Sequence, residues 1–364
     1  MANKKIKVLQ FSIAASAGGR TQFLLNLWRN IDRKKFIFDF ITFSEKLNFE
    51  DELIESGANV FYIHNYPENN KDGFVREFNK ILSNRYDVIH IATSYWKDTI
   101  IEELARQAGI KKIIIHSHSS GINAVNISDN NALKKHINIK NHLKEDIATD
   151  YIACSKAASE WLFGNQIPKK LIKIIYNGIN TGRFKFKSSY RKIIRDRLNI
   201  NDCFVLGFVG RLEMVKNIIF IIEILKNLVK IDTKVKLIIV GNGTLRESLI
   251  KKVNELDMSE YVLFLGQIED VEKYFMVFDV FLLPSFFEGF PLSLIEAQCS
   301  GLKCIVNSGI TEEVAITDLV YRISLNSKGE WLKTLLEIKR GYERRDYSKE
   351  IKALGFDTKN IAKE

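Results

Sequence analysis

The sequence predicts an α/β chain made of two doubly wound, Rossmann-like domains in tandem, and three observations carry this. Short apolar runs alternate with helical segments of ten or more residues, the pattern of parallel sheets built from βαβ units. The runs are continuously apolar, as strands covered on both faces are. The whole alternation then begins again after about residue 195. A length of 364 residues agrees, since about 150 residues make one domain.

In the front half, "IKVLQFSI" is the first strand, ending near Gly18 and Gly19, and "TQFLLNLWRNI" has helical period. "FIFDFITF", "NVFYI", "YDVIHIA", "KKIIIHS" and "DYIACS" follow as strands, with "DTIIEELARQAG" and "ALKKHINIKNHLKED" as helices between them. The stretch "IIYNGINTGRFKFKSSYRKIIRD" has no strong period and contains the turn-forming pair Asn177-Gly178. The domain junction is expected there. In the back half, "CFVLGFVG", "VKLIIVG", "YVLFLG", "VFLLP" and "KCIVNS" read as strands. "NIIFIIEILKNLVK", "GTLRESLIKKVNEL" and "PLSLIEAQCSG" read as helices. The tail "GEWLKTLLEIKRGYERRDYSKEIKAL" reads as helical and basic.

Charge and cysteine usage narrow the setting. Residues 1–190 hold 28 Lys and Arg against 19 Asp and Glu, so they carry nine of the ten net positive charges. That asymmetry suits an anionic partner for the front half, and equally a basic soluble surface. The lysines are dispersed and no recognition signature is present, so nucleic acid is not expected as a partner. The four scattered cysteines suit a reducing compartment. The opening "MANKKIKVLQFSIAASAGG" reads as a strand and not as a secretory leader, and no run reaches the length of a membrane-spanning helix.

Ligands of such sheets bind at the carboxyl ends of strands, so the motifs of interest follow strands. "SAGGRTQF" places glycines between a strand and a helix, where the backbone approaches a ligand or simply turns tightly. It is neither GxGxxG nor a Walker loop. "GRLEMVKN" supplies Arg211 and Lys216, which read either as a clamp on a diphosphate or as solvated loop cations. "GNG" at 241–243 reads as a structural turn. In "FFEGFPLSLIEAQCSG", Glu288 lies in a loop, Pro291 suits a helix's first turn, and Glu296 falls about five residues into that helix. Glu288 reads also as a charge favourable to a helix N-terminus. Glu296 has mostly apolar neighbours, a costly place for a carboxylate without partners. His116 and His118 follow a strand, but no further ligands accompany them for zinc. No Asp-x-Asp pair occurs to carry a divalent cation with a diphosphate.

Taken together, these stretches resemble the retaining glycosyltransferases of family 4. "GGRTQFLLNLWRNIDRKKFIFDFI", "IIIHSHSSG", "DYIACSKAASEWLFG" and "IIYNGINTGRF" are similar to the bacterial capsule and exopolysaccharide branch. "GRLEMVKN", "GNG" and "EGFPLSLIEA" are the more general marks, the last being the family's E-x7-E motif. The resemblance implies the GT-B fold, two Rossmann-like domains with an interdomain cleft: 1–180 binding acceptor, 181–328 binding the nucleotide-sugar, and 329–364 a helical segment packing back toward the first. Hinge motion would fall at 176–195.

It also implies roles. Arg211 and Lys216 match the pair that neutralises the donor diphosphate, in a loop opened by Gly210. Glu288 matches the acid facing the donor sugar, and Glu296 the acid holding the ribose hydroxyls. Gly289, Phe290, Pro291 and Leu292 match the backbone that meets sugar and phosphates. Gly18 and Gly19 match the glycine loop over the diphosphate, and Gly266, Gln267 and Ile268 the base contacts. His118 matches the histidine near the donor sugar, with His116 as the other candidate. Where relatives carry an acid shortly after the glycine pair, this chain has Arg20, Thr21 and Gln22. The implied activity is transfer from a nucleoside diphosphate donor, UDP by family habit, to a glycan acceptor on a lipid carrier. It needs no metal and no cofactor, and it takes place in the cytoplasm, peripheral to an anionic inner membrane face. Other readings are a catalytically idle GT-B subunit that positions a partner enzyme, or a GT-B epimerase or phosphorylase.

Overall fold

A computed structural model describes residues 4–15, 18–122 and 130–364. Two units emerge. One holds residues 1–177 together with Thr358–Glu364, and the other is Gly178–Asp357.

In the first unit, β1 (Ile6–Ile13), α1 (Gly19–Asn30), β2 (Phe36–Thr42), α2 (Glu50–Glu55), β3 (Val60–Tyr62), α3 (Lys71–Leu82) and β4 (Val88–Thr93) alternate strictly. The alternation goes on through α4 (Ile100–Gln107), β5 (Lys112–Ser117), α5 (Asn130–Asn141), β6 (Asp150–Ala153), α6 (Lys156–Phe163) and β7 (Ile172–Ile174). The strands form one parallel sheet in the order β3-β2-β1-β4-β5-β6-β7. Leu9, Phe40, Ile89 and Ile115 are fully buried in it, as continuous apolar strands under two helical layers must be. One acid sits inside: Asp39, on β2, takes hydrogen bonds from Tyr86 Oη (2.9 Å) and from Asn59 N and Nδ2 (2.9 Å each), with Lys7 Nζ at 3.3 Å. A buried charge persists when it is paired and hydrogen-bonded this fully.

The second unit repeats the plan: α7 (Ser188–Leu198), β8 (Phe204–Val209), α8 (Ile218–Val229), β9 (Val235–Val240), α9 (Arg246–Glu255), β10 (Val262–Gly266) and α10 (Val271–Val277) come first. Then come β11 (Val280–Leu283), α11 (Leu292–Cys299), β12 (Lys303–Asn307), β13 (Val320–Ile323), α12 (Lys328–Lys339) and α13 (Ser348–Ala353). Its parallel order is β10-β9-β8-β11-β12-β13. In both sheets the order reverses beside the unit's first strand, at β1/β4 and at β8/β11. That reversal opens a crevice at the strand carboxyl ends.

Three expectations are refined. The aperiodic stretch expected at the junction contains α7. Its apolar stripe is thin, with Ile193 61% exposed, and arginines pack it instead. Arg191 donates to the carbonyls of Met276, Val277 and Phe278, and Arg195 Nε to that of Val277, at the C-terminal end of α10, where cations are favoured. Asp279 pairs with both guanidiniums and accepts from Val205 N at 2.7 Å, tying α7 to β8. Second, the tail is not one helix. It breaks after α12, and Gly341 has a φ of +106°. Third, the segment expected to return from residue 329 onward divides. Trp331 is fully buried beside Phe220, and the Arg344 guanidinium donates to the carbonyls of Ser300, Phe275, Met276 and Phe278, all within the second unit. Only α14 (Thr358–Ile361) and the last residues belong with the first, where Ile361 joins the core around Trp28 and Phe40. The unit boundary accordingly falls at 177/178 and not at 180/181.

Candidate active site

In the second unit the exits of β8 and β11 carry the four charged candidates. After β8 the chain runs through Gly210, Arg211 and Leu212 into a short 3-10 turn ending at Lys216. This loop lies against the one after β9. Leu212 N donates to Asn242 O (2.9 Å), Leu245 N to Leu212 O (3.0 Å) and Gly210 N to Val240 O (3.0 Å). The contact leaves no room for side chains. A Cβ at Gly241 would stand 1.9 Å from the Gly210 carbonyl oxygen at a φ of +134°, and one at Gly243 would stand 2.5 Å from that of Leu212. Gly241→Ala should therefore destabilise the second unit by several kcal/mol, through strain at a special φ and a backbone clash. Chemical denaturation checks this; a loss within 0.5 kcal/mol, as at an ordinary surface site, would refute it.

The loop after β11 is tied to the same place. Phe286 N donates to Val215 O (2.9 Å), Asn217 Nδ2 to Pro284 O (3.4 Å) and Asn307 Nδ2 to Ser285 O (2.9 Å). These bonds bring Lys216 Nζ to 2.5 Å from Glu288 Oε1, with the two side chains 14% and 11% exposed. Arg211 is exposed, its carbonyl accepts from Glu213 N (3.0 Å), and its guanidinium makes no hydrogen bond or ion pair to a described residue. Gly289, Phe290, Pro291 and Leu292 are buried between Glu288 and the start of α11, and the Phe290 ring stacks on Phe356 at 5.7 Å. Pro291 is the N-cap residue, one place before the expected first turn.

Glu296 is the fifth residue of α11 and is partly buried. Its carboxyl makes no hydrogen bond to a described residue. Burial pushes it up to about 8, Arg183 pulling it down and Glu272 pushing it up. Arg183 is held by Glu272 Oε2 (2.8 Å from Nε) and by Glu269 O (2.6 Å). Gly266, at a φ of +69°, closes β10 and accepts from Gly241 N at 2.7 Å; Gln267 beyond it is exposed and Ile268 partly buried.

In the first unit, Gly18 is the N-cap of α1 at an ordinary φ of −69°, and Gly19 is its first residue. A Cβ on Gly19 would meet nothing within 4 Å, so the fold itself gives no reason for glycine there. Ser16 and Ala17 of this loop lie outside the described residues. Thr21 is buried and its hydroxyl accepts from Ala14 N (3.2 Å), while Arg20 Nη1 donates to Ala92 O (3.4 Å).

His116 and His118 stack at the end of β5, ring centroids 4.0 Å apart, with Phe23 at 5.1 and 4.9 Å. His116 Nδ1 lies 3.2 Å from His90 Nε2, and His90 Nδ1 lies 2.8 Å from Gln10 Oε1. Burial holds His116 and His118 well below the ordinary imidazole value and His90 at about 4, so all three are neutral at pH 7. His116 Nε2 and both His118 nitrogens are buried without a hydrogen-bond partner among the described residues. Sequence reasoning missed Gln10 and His90. Their signal is a polar side chain inside each of two apolar strands, "IKVLQFSI" and "VIHIAT". Among the described residues, no group of three or more His, Cys, Asp and Glu could hold a metal ion.

Comparison with known proteins matches each half. The family model for glycosyl transferases group 1 covers residues 190–351, and that for glycosyltransferase family 4 covers residues 17–183. The glycosyltransferase EpsF of Bacillus subtilis is 29% identical over 98% of this chain and 94% of its own. The capsular polysaccharide biosynthesis glycosyltransferase CapH of Staphylococcus aureus is 24% identical over 85% and 82%. A Campylobacter jejuni N-acetylgalactosaminyltransferase acting on a diphospho-undecaprenol-linked sugar is 31% identical over 62% of this chain and 58% of its own. Among solved structures, Anabaena HepE in complex with UDP and glucose aligns with a TM-score of 0.78 at 17% identity, covering 98% of this chain and 97% of HepE.

Proposed function

The chain belongs to the family 4 glycosyltransferases of GT-B fold, and we propose that it is a retaining enzyme moving a sugar from a UDP-sugar to a lipid-linked glycan in capsule or exopolysaccharide synthesis. The observation that carries this is the cation pair at the β8/β11 switch point. Lys216 is held at 2.5 Å by Glu288, and the Arg211 guanidinium stands exposed in the same loop without a partner among the described residues.

Cleaving a glycosyl–phosphate bond leaves negative charge on the nucleoside diphosphate. Cations already in position stabilise that charge without reorganising, usually the largest single contribution to catalysis. Arg211 offers a planar fork to two phosphate oxygens, and Lys216 a point charge. Glu296, whose carboxyl has no hydrogen-bond partner among the described residues, accepts from ribose hydroxyls, and the Gly266–Ile268 segment meets the base. The peptide groups of Gly289 to Leu292 and the N-terminus of α11 add dipoles directed at anionic oxygens. Glu288 holds Lys216 in the empty site and faces the sugar when donor is bound. The leaving phosphate takes up the acceptor proton in a front-face transfer, which preserves the anomeric configuration. UDP and the lipid-linked acceptor are supported by the named ligands of HepE and by the undecaprenol-linked substrate of the Campylobacter transferase.

Turnover of a UDP-sugar panel with lipid-linked glycan extracts tests the enzyme reading, and its absence with every donor would favour an idle positioning subunit. Since protein cations meet the diphosphate, activity should persist in excess EDTA after exhaustive dialysis. Its abolition there, with rescue by a divalent cation, would refute the metal-free mechanism.

For the acceptor side, no helix among the described residues is long and apolar enough to cross a membrane. The exposed face of α5 instead shows Leu133 (37% exposed) and Ile137 (41%) one turn apart, with Lys134 and Lys135 exposed beside them. Apolar side chains set in a basic helix suit the surface of an anionic bilayer. The protein should sediment with phosphatidylglycerol vesicles, less so at high salt and less so as Ile137→Asp. Salt-insensitive binding, or none, would overturn the membrane assignment.

A further inference from the structure

The histidines at the end of β5 are wired to two residues deeper in the sheet. Gln10 lies on β1, His90 on β4 and His116 on β5, three neighbouring strands with Gln10 and His90 directly paired in register. Gln10 is 1% exposed, His90 5% and His116 1%.

The hydrogen bonds determine the protons. Gln10 Nε2 lies 3.0 Å from His90 O and 3.3 Å from Phe11 O, and a carbonyl only accepts. The amide NH2 must therefore face those carbonyls, which turns Oε1 toward His90 Nδ1. His90 Nδ1 must donate, so in the neutral ring Nε2 is the acceptor. His116 Nδ1 must then donate to it, leaving His116 Nε2 as a bare lone pair. That atom is buried with no partner among the described residues, as are both nitrogens of the His118 ring stacked upon it. Buried polar atoms are nearly always paired, so these three, on two adjoining rings, are free to bond a hydroxyl-bearing ligand.

We propose that Gln10, His90 and His116 form a relay that fixes His116 in its Nδ1–H tautomer and presents its Nε2 lone pair, beside His118, as an acceptor for a sugar hydroxyl. Gln10 and His90 are positioning residues and His116 a binding residue. This rests on the glycosyltransferase reading for the identity of the ligand, but the tautomer follows from the protein alone. A neutral acceptor selects a hydroxyl donor, and the closed relay keeps the ring from turning to the commoner Nε2–H form.

Long-range 1H–15N correlation spectra of the apoprotein, labelled at its six histidines, test the relay directly. His90 and His116 should both appear as Nδ1–H tautomers. His136 is an internal control of opposite sense, because Trp96 N donates to its Nδ1 and its Nε2 faces Trp161 O at 3.2 Å. Finding His116 as Nε2–H, or charged at pH 7, would overturn the relay with no ligand or activity involved. Saturation with UDP-glucose, UDP-galactose and UDP-N-acetylglucosamine in turn should move the His116 Nε2 resonance for a donor that is turned over, and UDP alone should not. If a donor is turned over and the resonance stays, the substrate contact is wrong although the enzyme reading stands. If no donor is turned over, the enzyme reading fails while the tautomers still decide the relay. Gln10→Leu should lower kcat/KM about tenfold, the scale of one uncharged hydrogen bond, with the His116 tautomer lost. An unchanged tautomer in a folded Gln10→Leu protein would also refute the relay.

Discussion

Lys216→Ala should lower turnover by about 100-fold or more, the scale of losing one preorganised donor to transition-state charge. The structure sharpens this expectation, because Lys216 is not a solvated loop cation. Its ammonium lies 2.5 Å from Glu288 and keeps only 14% exposure, held by backbone bonds that join the exits of β8 and β11. A cation fixed in this way needs no reordering as the diphosphate leaves. The same pairing has a structural consequence. Removing Lys216 takes away a charged partner of Glu288, and breaking a well-buried pair costs roughly 3–5 kcal/mol, less here in proportion to the remaining exposure. Loss of fold and loss of chemistry must be told apart. Lys216→Ala combined with Glu288→Gln also removes the carboxylate charge that Lys216 balanced, so it should regain stability over Lys216→Ala alone while turnover stays low. Lys216→Arg keeps the charge but replaces a point with a fork, and should fall between wild type and alanine. A loss of tenfold or smaller in folded Lys216→Ala would refute the clamp. Recovery of turnover in the double variant would reduce the pair to a structural contact.

The elements legible in the sequence were those with strong apolar signals. Every β-strand quoted from the chain, from "IKVLQFSI" to "KCIVNS", is a strand of one of two parallel sheets, because burial on both faces of the central strands writes itself as a mostly apolar run. The E-x7-E stretch was legible because a loop acid, a proline and a helical acid at fixed spacing imply a strand exit followed by a helix start. What stayed hidden depends on contacts between distant residues. Helix α7 escaped because Arg191 and Arg195 attach it to the end of α10, and guanidinium-to-carbonyl bonds have no periodicity in sequence. The division of the tail at Asp357 was hidden for a similar reason. The tie between Ile179 and Asp357, with Thr181 Oγ1 2.6 Å from Asp357 Oδ2, joins residues nearly 180 positions apart. Gln10 and His90 were invisible as site residues because a single polar side chain in a strand carries no hint of its cross-strand partner.

Glu296→Gln should stabilise the empty protein at pH 8 and weaken donor binding, two opposite effects from one atom pair. The ordinary value for this carboxyl is 4.5, and burial raises it in the folded protein to about 8. The folded state therefore holds the proton more tightly than the unfolded chain. The stability it contributes is full below about pH 4.5, declines as the pH rises and is lost once the pH passes about 8. Glutamine cannot ionise and escapes that decline. The two proteins should match near pH 4.5 and diverge upward, with the variant's Tm higher by roughly 2–4 °C or more at pH 8, the shift that 1 kcal/mol gives a domain of this size. A desolvated acid kept at such a cost is the usual sign of a ligand group, because stability is given up where binding gains. Binding should show that gain. Ribose hydroxyls donating to the ionised carboxylate make charge-assisted bonds, about twice as strong as those to a neutral amide, so donor affinity should fall by about tenfold or more in the variant. Because the carboxyl is mostly protonated at pH 7 when empty and ionised when occupied, nucleotide binding should release close to one proton. Calorimetry in buffers of different ionisation enthalpy measures that release directly, and the variant should show none. A variant that melts below wild type at pH 8, or that binds UDP equally well with the same proton release, would remove Glu296 from the nucleotide site. Burial would then be its whole explanation, and the E-x7-E spacing would mark only where α11 begins.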